Sequence, residues 1–90
     1  MSKGINIIMY YLVKDKYRNY TLSICRLTLG LKGDLTYNYH YDMYRERHGW
    51  LTLPFRPELA PEEYFHEYSY EIVSKSEDYD TLEYMKELVA

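Results

Sequence analysis

The segment Tyr44-Arg45-Glu46-Arg47-His48-Gly49-Trp50 is the densest gathering of chemically capable side chains in this sequence. Arginine holds a phosphate by charge and by paired N–H donors, histidine carries a proton, and tyrosine and tryptophan stack on bases. Tyr44, Arg45, Arg47, His48 and Trp50 therefore suit a nucleic-acid contact. They would also suit a small ribonuclease, in which acid–base groups move protons and cations stabilise the charge developing on phosphorus.

The other reactive residue types are less well placed. His40 and Asp42 fall two apart and would share one face of a strand, as a hydrogen-bonded pair or as two ligands. His66 has no histidine four residues away, and the spacings of familiar zinc sites are absent, so neither metal nor cofactor is expected. Cys25 would need a base and an electropositive setting to act as a nucleophile. Its neighbour Arg26 points to the opposite face of a strand, which leaves Cys25 as a buried structural thiol. Gly4, Gly30, Gly33 and Gly49 form neither a phosphate loop nor a dinucleotide fingerprint. No catalytic set is assembled, and a non-enzymatic protein is expected.

Charge divides the chain. Residues 1–56 carry nine Lys or Arg against four acids, a net of +5, whereas residues 57–90 carry two lysines against ten acids, a net of −8. Such asymmetry is a statement about partners. It points to an acidic surface that engages a protein with a basic groove, such as a nucleic-acid-binding protein, by fast, salt-sensitive association. Glu62, Glu63, Glu67, Glu71, Glu77 and Asp78 are the expected electrostatic contacts, with Tyr64, Tyr70 and Tyr79 as aromatic anchors. This describes an inhibitor of phage anti-defence type, or an immunity-like protein. The two alternatives are a nucleic-acid binder or nuclease, in which Tyr37, Tyr39 and Tyr41 would stack bases with Lys14, Lys16, Arg18, Arg45 and Arg47 at the rims, and a homodimeric interaction module.

The elements that must position these residues read as strands first and helix last. Ile5 to Val13 is apolar almost throughout, as in a central strand covered on both sides. Lys14 to Asn19 is turn-like, and Tyr20, Leu22 and Ile24 alternate before the apolar phase moves to Cys25, Leu27 and Leu29, as across a β-bulge. Gly30 to Asp34 suits a hairpin turn. Leu35 to Tyr44 then alternates strictly, with Tyr37, Tyr39, Tyr41 and Met43 on the covered face. Trp50 to Phe55 is an edge strand, or one ended by Pro54. Pro61-Glu62-Glu63 opens a helix. Tyr68 to Val73 fits either its continuation or a fifth strand. Asp80 and Glu83 suggest a capping box for a last helix over 80–89, with Leu82, Met85, Leu88 and Val89 as its apolar stripe.

The expectation is one α+β domain spanning residues 1–90: a mainly antiparallel four-stranded sheet with one or two C-terminal helices on one face. Thirteen tyrosines in ninety residues either lend bulk to a small core or mark a binding face. A single cysteine excludes an intramolecular disulfide and suits a reducing setting, hence the cytoplasm, or the host cytoplasm if the protein is viral. No stretch approaches the roughly 18–20 apolar residues of a membrane span.

Overall fold

The computed structural model describes residues 8–31 and 37–89. Strand β1 (Ile8–Asp15) leads through a 3-10 turn (Lys16–Arg18) into β2 (Thr21–Leu31), and β3 (Tyr37–Arg45) and β4 (Gly49–Thr52) complete a meander. Helix α1 (Pro61–Glu67), strand β5 (Tyr70–Ser76) and helix α2 (Tyr79–Val89) follow. All pairings are antiparallel, in the order β4-β3-β2-β1-β5. This is the expected α+β fold with its fifth strand present: Tyr68 closes α1, and Ser69, at φ 61°, turns the chain into β5.

The helices cover opposite faces of the sheet, where one shared face was expected. On the α1 side lie Tyr11, Val13, Cys25, Leu27, Tyr41, Met43, Tyr64 and Phe65. On the α2 side lie Leu12, Ile24 and Leu82, with Tyr10, Leu22, Trp50, Tyr79 and Met85 packed round them. The reason is topological. β5 is an edge strand between the two helices, so the chain arrives from one face and leaves over the other.

Two-sided burial also explains the pattern read as a bulge in β2. That strand keeps unbroken register against both β1 and β3. Ile24 faces α2 while Cys25 and Leu27 face the α1 side, so the apolar phase changes without an extra residue. The sheet's bulge lies in β5, where Leu12 opposes Ser74 and Val13 opposes Ile72, leaving Val73 between them. A bulge with charged Glu71 and Lys75 on an open edge discourages strand addition there. The turn expected at 30–34 falls partly outside the described residues; β2 itself continues through Gly30 to Leu31.

The α1-side core is built from stacked phenols. Tyr41 and Tyr64 stand 3.8 Å apart at 15°, Phe65 meets Tyr41 edge-on at 5.5 Å, and the Tyr64 hydroxyl donates to the Pro54 carbonyl at 2.6 Å. The Tyr41 hydroxyl is buried with no partner among the described residues. Helix α2 is capped by Asp78, which accepts from the Asp80 N–H at 3.3 Å and the Thr81 hydroxyl at 2.8 Å, two residues before the expected Asp80 cap. Its stripe is only half used. Leu82 is buried, whereas Leu88 is 65% and Val89 56% exposed because the helix outruns the sheet.

Candidate anion-binding groove

A meander places alternate hairpin ends on the same side of a sheet. The β1–β2 connection and the β3–β4 turn therefore stand together. Helix α2 starts at the far end of β5 and runs back, which delivers Lys86, in its last turn, to the same place. Between these elements is an open groove of about 430 Å³. Arg18, Arg45, Arg47 and Lys86 line it with His48; Thr21 and Ser23 add hydroxyls, Leu22 and Tyr44 add apolar wall, and Glu46 is its one carboxylate.

Local chemistry fixes each wall. The His48 N–H donates to the Arg45 carbonyl at 3.0 Å, and Gly49 takes φ 73°, giving a three-residue hairpin loop closed by a left-handed residue. Across the groove, Asp15 is only 4% exposed and accepts from the Tyr17 N–H at 3.0 Å, holding the 3-10 turn. Arg45 donates to the Ser23 hydroxyl oxygen at 2.7 Å and lies 3.5 Å from the Asp15 carboxylate. Arg45 is thus a fixed floor whose charge is partly answered within the protein. Arg18, Arg47 and Lys86 make no ion pair with any described residue.

The structure therefore gathers Tyr44, Arg45, Arg47 and His48 with the expected rim cation Arg18, and adds Lys86, which the sequence reading missed. Trp50 does not line the groove. It packs on the α2 face against Tyr10, Tyr44 and Tyr79, with the Arg26 guanidinium 4.4 Å above its ring. Asp42 is held by Arg26 at 3.1 Å, and His40 stacks on Phe55 at 5.1 Å, so neither forms the pair suggested by their spacing. Cys25 is fully buried and burial pushes its thiol up, which keeps it protonated. No group of three metal-ligating side chains comes together among the described residues.

The predicted acidic surface is divided. Glu62, Glu63 and Glu67 ride on α1 over one face, Glu77 and Asp78 stand at the start of α2 over the other, and Glu71 is on the β5 edge. Three of the six are engaged within the protein. Glu67 pairs with Arg56 at 3.0 Å, Glu63 accepts from the Ala60 N–H at 3.0 Å, and Asp78 caps α2. Arg56 also holds Glu58 at 2.6 Å. The proposed anchors are core residues instead: Tyr64 is 0% exposed, Tyr70 packs on Phe65, and Tyr79 packs among Tyr10, Tyr44 and Trp50. Burial raises the pKa of all three phenols, assisted at Tyr79 by nearby Glu83. Tyr64 and Phe65 are the buried residues of α1 and seal it to the sheet.

Comparison with protein-family models, characterised proteins and solved structures found no match. No helix among the described residues is long and apolar enough to cross a membrane.

Proposed function

We propose that this chain is a non-enzymatic binding protein that holds single-stranded nucleic acid by its phosphates at the paired hairpin ends. One observation carries this reading: three cations with no ion-pair partner among the described residues, from three separate segments, converge on a groove already floored by Arg45. The overall charge of −3 does not oppose it, because a concave site lined by one sign focuses its own field. The separation of His40, His48 and His66 and the buried thiol of Cys25 favour binding over cleavage.

With about three phosphates neutralised, the logarithm of affinity should fall with the logarithm of salt at a slope near −2, at about −0.7 per contact for single strands. Fluorescence anisotropy with labelled RNA and DNA oligonucleotides measures this, and recovery of intact strand reports on cleavage. Absent binding at low salt, or binding indifferent to salt, would reject the reading.

A second reading keeps an acidic docking surface but moves it to the exterior of α2. There Tyr84 is 64% exposed beside Leu88 and Val89, among Asp80, Glu83 and Glu87. Exposed apolar area with a charged rim is how interfaces are built. Glu83→Lys with Glu87→Lys should release a basic protein that copurifies from the native cell; continued copurification would count against it.

A further inference from the structure

The groove differs on its two sides. Lys86 belongs to the C-terminal turn of α2, whose unpaired carbonyls carry partial negative charge, and Glu83 and Glu87 are carried by the same stretch of helix. A polyanion leaving the groove over α2 would meet repulsion. The other side is the β1–β2 connection, where Arg18 lies between Tyr17 and Tyr20, 83% and 60% exposed. Tyr20 also holds φ 60°, a left-handed backbone uncommon for a bulky residue, fixed by donation of its N–H to the Asp15 carbonyl at 2.9 Å.

Resting on the single-strand reading above, we infer that the groove receives the terminal phosphate monoester of a strand, whose next base stacks on Tyr20. A strand repelled from α2 and drawn out over Arg18 and Tyr20 would end in the groove. A terminal monoester carries about −1.5 to −2 charges, against one for an internal diester, and so answers more of the convergent cations. A mononucleotide-sized ligand also fits the volume, since ligand sites span about 300–1,000 Å³.

The test compares one pentanucleotide with a 5′-phosphate, with a 3′-phosphate and with hydroxyls at both ends, and uses inorganic phosphate and a nucleoside monophosphate as competitors. One phosphorylated form should bind about tenfold tighter than the hydroxyl-ended strand, the scale of one added charge-assisted contact. Arg47→Glu with Lys86→Glu should erase that preference, and Tyr20→Ala should weaken all three strands alike. Equal binding of the three strands would overturn the inference while leaving strand binding intact, whereas failure of all three would remove both. A nucleoside monophosphate that competes as well as the whole strand would keep the monoester assignment and make the ligand a free nucleotide.

Discussion

Tyr64→Ala should lower the melting temperature by tens of degrees or abolish a cooperative melt altogether. The side chain is completely buried, stacks on Tyr41 at 3.8 Å and meets Phe65 and Tyr68. Removing a large aromatic from such a site costs about 3–5 kcal/mol, against about 5–15 kcal/mol of total stability for a small domain. Each kcal/mol is worth about 4–8 °C in a domain of this size. Conservative changes separate ring from hydroxyl. Tyr64→Phe keeps the stack but leaves the Pro54 carbonyl without its donor, costing about 1–3 kcal/mol. Tyr41→Phe should be neutral or stabilising, because its hydroxyl has no partner to lose among the described residues. Calorimetry of the three variants decides. A Tyr64→Ala protein that melts like the parent would return this tyrosine to the surface, as the anchor the sequence suggested.

That contrast marks where sequence reasoning works. Strict alternation over Tyr37 to Met43 identified β3 and its buried face, since a period of two has one structural meaning. Pro61 with two glutamates marked the start of α1 for an equally local reason. Failures came where the answer depended on a second layer. The apolar phase change after Ile24 has the same appearance whether a strand bulges or is covered on both faces. Likewise, the split of α1 and α2 between faces follows from β5 adding at the edge, which no local pattern encodes.

The groove was half legible. Arg45, Arg47 and His48 were conspicuous because they are contiguous. Arg18 was legible beside them as a rim cation, and hairpin parity in a meander is what sets the first and third turns side by side. Lys86 was not, because its place depends on which face α2 crosses and in which direction. The division of the acidic residues between two faces was hidden for the converse reason. Composition counted ten acids after residue 57, but it does not distinguish a carboxylate that caps a helix or pairs with Arg56 from one facing solvent.

Alkali should unfold this protein cooperatively, starting just above pH 10. Tyr11, Tyr41, Tyr64, Tyr70 and Tyr79 all have raised pKa values in the folded chain, with burial as the first cause in each case. In the unfolded chain they return to the ordinary phenol value of about 10. Between those values the unfolded state has lost protons that the folded state still holds, so stability is complete below pH 10 and drains away as pH rises towards the folded-state pKa. Each such group withdraws up to about 1.4 kcal/mol per pH unit. The inaccessible Tyr41 and Tyr64, whose pKa values are raised most, alone thus remove up to about 3 kcal/mol within one unit, a large share of a small domain's stability. Cys25, buried beside them, acts in the same direction. Tyrosinate absorbance should therefore include a steep rise that coincides with loss of the far-ultraviolet dichroism of the sheet. Smooth ionisation of all thirteen phenols with the dichroism intact would mean that the tyrosines are not what fills the core.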